Sequence, residues 1–241
     1  MPSPLFTQQL GTRRVTIVAT ERLDGDVHPQ RVAGPDLLER QLRATGGRWI
    51  MLDEVHGTAV VDVDDVIDHD DRDEPGVVTA GVGDVLVTCR PAAQVAVWTA
   101  DCAPIFLLAD DGTVVGAHGG WKGLADGVVD VAADTARRGG GRVVAAVLGP
   151  VIGPCCYEFS ADDLRSVALG THAHPAAIAG RTTDGAPALD VTAAVRTALA
   201  HRGIRLDVVG SCTGCDDRWY SHRVRADMGR HATVAIIEAA P

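Results

Sequence analysis

Residues 95–123 read VAVWTADCAPIFLLADDGTVVGAHGGWKG. Three apolar runs of strand length lie inside this stretch, at 95–99, 105–108 and 114–117. Asp110-Asp111-Gly112 joins the last two and fits a hairpin turn. The glycines at 119–123 lead into a helix expected over 124–138. Working outward, further strands are expected at 15–19, 49–52, 60–63, 85–88, 143–148, 208–209 and 233–237. A helix is expected from Pro35 and Asp36 to about residue 45, stopped by Gly46-Gly47. Ser160 with Asp163 forms a helix-start signature, and another helix is expected over 192–201. The Ala-, Pro- and Gly-rich stretch 174–188 reads as a loop. Strands cluster centrally with helices around them and no repeat is present. The expectation is a single mixed α/β (α+β) domain over 1–241, with mixed sheets in the centre and helices packed outside.

Bulk properties narrow the function. A chain of 241 residues that is 46% hydrophobic can bury a large core. With 4% aromatics, that core rests on Val, Ala, Leu and Ile. The net charge of -10 argues against non-specific nucleic-acid or anionic-membrane binding. No run reaches the ~18 apolar residues of a membrane span. The opening MPSPLFTQQLGTRR has no apolar signal-peptide core, so the cytoplasm is the expected compartment. The six cysteines are then expected as thiols, metal ligands or core residues rather than disulfides. The acidic run 62–74 reads as a solvated loop; it lacks the regular spacing and glycine of an EF-hand.

Several segments carry side chains able to do chemistry. In WTADCAP (98–104), Asp101 lies inside an apolar run, where a carboxylate must be paired, metal-linked or catalytic. The plain alternative is a turn-capping Asp beside an inert core Cys102. In GAHGGWKG (116–123), His118 ends a strand and Lys122 stands at a helix start, a place that favours anions. The spacing is not that of a Walker A loop, and a tight strand-to-helix turn explains the glycines equally well. In EVHGT (54–58), His56 sits between two strands. These segments lie roughly 15 to 45 residues apart, so spacing alone does not define a metal site. Cys212 and Cys215 have chelate spacing, but the adjacent pair Cys155-Cys156 reads as a poor second half, so no zinc is expected there. Arg218, Arg223, Arg225 and Arg230 cluster in RWYSHRVRADMGRH as either charge balance or a basic pocket wall.

Taken in order, these segments resemble the YfiH/laccase-domain family, also described as multicopper polyphenol oxidase-like proteins and peptidoglycan editing factors. Its pattern runs Q-V-H-G, G-D-x-L-V-T, T-A-D-C-x-P, H-A-G-W-R-G, G-P-x-I-G-x-C-x-Y-E, C-T, S-x-R and G-R. The chain has EVHG at 54–57, GDVLVT at 83–88, TADCAP at 99–104 and HGGWKG at 118–123. It continues with GPVIGPCCYEF at 149–159, CTGC at 212–215, SHR at 221–223 and GR at 229–230. The resemblance implies a YfiH-like fold and metal ligation by His56, Cys102 and His118. It implies zinc, with copper as the alternative metal, and Asp101 as proton donor and acceptor. It implies contact with substrate or phosphate through Glu54, Lys122, Arg223 and Arg230. The activity implied is phosphorolysis of adenosine, inosine or methylthioadenosine, or deamination of adenosine, in a monomer or homodimer. Glu54 stands where the family has Gln, Lys122 where it has Arg and Gly119 where it has Ala. The family's N-terminal T-R-x-G-G-x-S segment has no counterpart in residues 14–45, so residues 1–48 form a divergent segment. Three other functions compete with this one. They are copper-dependent phenol oxidation, for which His172 and His174 are the sole H-x-H pair, a thiol hydrolase using Cys102 and His118, and a non-catalytic ligand or cell-wall-precursor binder.

Overall fold

Apolar strands need both faces covered, and the chain achieves this with two stacked sheets. The computed structural model describes residues 2–64 and 78–239. The strands are β1 (Phe6–Leu10), β2 (Arg13–Ala19), β3 (Ile50–Asp53), β4 (Val60–Asp62), β5 (Val78–Val82), β6 (Val85–Thr88) and β7 (Gln94–Thr99). They continue with β8 (Ala103–Ala109), β9 (Val114–Gly119), β10 (Val143–Leu148), β11 (Ala179–Arg181), β12 (Pro187–Leu189), β13 (Leu206–Val208) and β14 (His231–Ala239). Among the described residues, one six-stranded sheet has the order β1-β2-β14-β7-β3-β5 and the other β13-β10-β8-β9-β6-β4. Both mix parallel and antiparallel pairs.

Strand periodicity sorts side chains into layers. Val95 and Val97 of β7, Phe106 and Leu108 of β8, and Ala235 and Ile237 of β14 share the core between the sheets. Their neighbours Ala96, Trp98, Ala232 and Val234 face outward, beside Leu37 and Ala44 of helix α1 (Gly34–Thr45). Ile105 and Leu107 of β8 face the opposite way, into a cluster with α2 (Trp121–Ala125), α3 (Val128–Ala136), α4 (Ala161–Gly170) and α6 (Val191–His201). The result is helix, sheet, sheet, helix, which is why the central strands are continuously apolar.

The expected strands and helices hold, with a few corrections. The single helix expected over 124–138 is two, α2 and α3, because Gly127 adopts a left-handed backbone with φ 83°. The stretch 174–188 is not a plain loop. It holds the short helix α5 (Pro175–Ile178), capped by the His174 side chain, and the β11–β12 hairpin. That hairpin is held from outside: the amides of Phe159 and Leu189 bond the carbonyls of Pro187 and Tyr157 at 3.0 and 3.2 Å. β1 and β5 carried no signal strong enough to read. Most of the acidic run 62–74 lies outside the described residues. No helix among those described is long and apolar enough to cross a membrane.

Among the places where the chain passes from one sheet to the other are those between β3 and β4 and between β7 and β8. His56 sits on the first crossing and Asp101-Cys102 on the second.

Candidate metal centre

Register brings the separated segments together. Pro104 of β8 pairs with His118 of β9, and Val85 of β6 pairs with Ala117. The first pairing sets Cys102, just before β8, against His118; the second sets Asp84 beside it. The ligand atoms of His56, Cys102 and His118 lie within 4.8 Å of one another. Cys102 Sγ is 3.8 Å from His56 Nε2, and the two imidazoles meet edge to face at 4.8 Å.

Asp84 organises this cluster, and the sequence reading gave it no role. Its side chain is fully buried and accepts hydrogen bonds from the amides of His56 at 2.8 Å and Gly57 at 2.7 Å. Its Oδ1 also lies 2.8 Å from His118 Nδ1. Burial opposes a charge on Asp84, but the bonds from His118, Gly57 and His56 outweigh it and hold the carboxyl below its ordinary range. With Nδ1 bonded to a carboxylate, His118 presents Nε2 to a metal, the usual carboxylate–histidine arrangement behind a metal ligand. The signal was present in GDVLVT: a carboxylate inside an apolar run needs partners, the argument applied above to Asp101 alone.

The thiol is electrostatically prepared. Burial opposes the Cys102 thiolate, but the charge of His118 and hydrogen bonds from both imidazoles bring it down to about 6. Burial likewise opposes protonation of His118, and Glu54, Cys102 and Asp84 together hold it up. Two imidazoles and a thiolate with three protein donors fit zinc in a site that keeps one position open. The backbone is strained at one donor and beside another: His56 has φ 62°, and Asp101, which precedes Cys102, has φ 97°. Gly120 allows the approach, since a Cβ there would stand 2.4 Å from His56 Cδ2. Gly120 and Gly123 therefore serve packing around His56 and Gly57, and Gly119 packs against Ala103 and Ile105.

The other predicted residues surround a cleft of about 490 Å3 whose lining includes Glu54, Asp101, Lys122, Arg223 and Arg230 beside the three ligands. Asp101 is firmly held: Thr213 Oγ1 donates to Oδ1 at 2.6 Å and the Arg223 amide to Oδ2 at 2.7 Å. Glu54 is buried, accepts from the Trp98 amide at 3.1 Å and leaves Oε2 without a hydrogen-bond donor, 3.6 Å from His118 Nδ1. Desolvation raises its carboxyl to about 8. Burial thus favours a neutral carboxyl at Glu54, and the neighbouring His118 opposes it. Lys122 is exposed, 5.8 Å from the centre of the Trp121 ring. Arg223 lies 5.0 Å over the Tyr157 ring. The guanidinium of Arg230 bonds the carbonyls of Met228 and Gly229, each at 3.0 Å.

Some expectations are corrected. Arg218 and Arg225 are not pocket wall: Arg218 pairs with Asp216 and Glu21, and Arg225 bonds the carbonyls of Thr213, Gly214 and Trp219. His172 and His174 form no joint site. His172 bonds Asp130 at 2.5 Å and stacks on His201, while His174 caps α5. The reading of Cys155-Cys156 as a poor partner for Cys212 and Cys215 also fails geometrically, because all four sulfurs converge. Sequence reasoning missed the cleft residues His28, Trp98 and Tyr157, of which the His28 and Trp98 rings pack with centroids 4.6 Å apart and planes tilted by 36°.

Residues 24–238 match the sequence model of the family described as multi-copper polyphenol oxidoreductase laccase. A purine nucleoside phosphorylase of Streptomyces coelicolor is 36% identical over 244 residues, covering 94% of this chain and 92% of the relative. One of Xylella fastidiosa is 34% identical over 191 residues, 77% of this chain and 71% of the relative. The fold matches the crystal structure of YlmD from Geobacillus stearothermophilus with a TM-score of 0.78 at 21% identity, over 98% of this chain and all of that one. YfiH of Bacillus licheniformis matches with a TM-score of 0.76 at 21% identity, over 95% of this chain and 94% of that one. On the family match, these relatives and the fold, the chain belongs to the multi-copper polyphenol oxidoreductase laccase family, the YfiH-like proteins.

Proposed function

We propose that the chain is a zinc-dependent purine nucleoside phosphorylase. The observation that carries the reading is the convergence of His56, Cys102 and His118 on the floor of a cleft walled by Trp98, Tyr157 and Arg223. Relatives that cover most of the chain are named for this activity. The cleft has the volume of an ordinary small-molecule site. Zinc, when bound, supplies a Lewis acid at the open position. His28 and Trp98 line the cleft and offer aromatic ring surface for a purine. Arg223 and Lys122 supply positive charge for phosphate. Phosphorolysis breaks the bond between the anomeric carbon and the base nitrogen and forms one to a phosphate oxygen; the departing base takes up a proton. Asp101 keeps unused lone pairs beyond its two hydrogen bonds, and we assign it the relay of that proton, taken from the attacking hydrogen phosphate and passed to the departing base.

Deamination of adenosine is the second reading. It is favoured by the same carboxylate, next in sequence to a metal ligand, as a proton carrier between water and the leaving ammonia. Copper-dependent phenol oxidation is disfavoured because the described residues bring together one site of mixed His and Cys donors and no cluster of His pairs. We assign the phosphorylase activity to the cytoplasm, where small nucleosides and phosphate meet. The test is incubation of zinc-loaded protein with adenosine and inosine, with and without phosphate. Phosphate-dependent release of free base and ribose 1-phosphate is expected. No product in either case at full zinc occupancy overturns the proposal.

A further inference from the structure

A second group of metal-type donors lies outside the cleft, where loop 153–156 meets loop 211–216. The four sulfurs of Cys155, Cys156, Cys212 and Cys215 lie within 4.8 Å of one another. Cys215 Sγ is 3.3 Å from Cys155 Sγ and 3.4 Å from Cys156 Sγ, and Cys155 Sγ is 3.6 Å from Cys212 Sγ. We propose that these four cysteines hold a structural zinc ion that staples the two loops together.

Three features select a metal over disulfides or idle thiols. Zinc–sulfur bonds of about 2.3 Å in a tetrahedron set sulfurs about 3.8 Å apart, close to the separations found. A disulfide needs one partner at about 2.05 Å, whereas Cys215 is shared almost equally between two. The backbone is also shaped for the cluster. A Cβ on Gly214, inside the CTGC chelate, would stand 2.7 Å from Cys156 Cβ and 2.8 Å from its Sγ. The Gly153 amide donates to Cys212 Sγ at 3.1 Å, as amides do to metal-bound thiolates. The adjacent pair Cys155-Cys156 works as a chelate because the 3-10 turn Pro154–Cys156 turns both sulfurs onto Cys215. Cys215 is exposed, so a metal has access. Four thiolates leave no open position, which marks the site as structural.

The staple lies behind the cleft. Cys212 is bridged to Val151, and the next residue, Thr213, donates to Asp101. Tyr157 follows the cysteine pair directly and lines the cleft. Metal at the four cysteines therefore fixes the loop that holds Asp101.

X-ray absorption and elemental analysis of protein purified with reductant from zinc-supplemented cells test this. The wild type is expected to hold two zinc ions per chain with about 2.5 sulfur neighbours per zinc on average. The variant with His56→Ala, Cys102→Ala and His118→Ala is expected to keep one zinc in an all-sulfur shell. The variant with Cys212→Ser and Cys215→Ser is expected to lose that ion. Should the variants not fold, the wild-type spectrum decides: about one sulfur per zinc overturns the proposal. Disulfides among the four in the intact-mass spectrum, or iron in place of zinc, also overturn it. One zinc with four sulfur neighbours upholds it even if the cleft takes no zinc.

Discussion

Asp84 shows how much of the His56, Cys102 and His118 cluster depends on a residue that is not one of its three donors. It is buried, it orients His118, and it fixes the loop carrying His56 through two amides. Asp84→Ala is expected to weaken zinc binding about 10- to 100-fold, read by competition with a chromophoric chelator. Glu54 makes a second prediction with a definite sign. Its unfolded carboxyl ionises at 4.5 and its folded one at about 8. Between those values the native state keeps a proton that the unfolded chain has lost, so its contribution to stability falls as pH rises through that window. Metal-free Glu54→Gln is expected to be more stable than metal-free wild type at pH 8, by a gap on the order of a few kcal/mol that closes toward pH 5. Denaturant titrations at the two pH values check it, and equal stability at pH 8 counts against a neutral buried carboxyl.

At the scale of elements, His231 opens β14 and is fully buried, paired with Thr99 Oγ1 at 3.3 Å and with the Tyr220 amide at 3.3 Å. Burial, with the nearby charge of Arg230, lowers its imidazole to about 3. The unfolded chain takes up a proton below 6.5 that the native state refuses, so stability is full above that pH and is lost as pH falls toward 3. Wild type is expected to lose about 1.4 kcal/mol per pH unit below 6.5 from this residue. His231→Gln is expected to show an acid limb shallower by that amount. Elements also show what was legible in the sequence. β7, β8 and β9 were readable because each is an unbroken apolar run, and the Asp110–Gly112 turn joined two of them. The break at Gly127 was hidden because an isolated glycine is tolerated inside a helical pattern. The β11–β12 hairpin was hidden because its pairing depends on Tyr157 and Phe159, distant in sequence.

Over the whole molecule, two stacked sheets bring together residues that local spacing could not. His56, Cys102 and His118 were recognisable only through the order of the motifs around them. Asp84 lies inside GDVLVT and Trp98 beside TADCAP, yet those motifs did not single them out, and His28 lies in no motif, because what makes all three part of the site is register and sheet crossing. The four-cysteine cluster was missed for a similar reason: the shape of the 3-10 turn decides whether adjacent cysteines chelate, and residue types do not report it. The account rests on His56, Cys102 and His118 forming one metal centre in the cleft. Anomalous diffraction at the zinc edge from zinc-loaded crystals tests that most directly. A peak is expected about 2.0–2.1 Å from an imidazole nitrogen of each histidine and about 2.3 Å from Cys102 Sγ. Zinc-loaded crystals with no peak among those three side chains would contradict it.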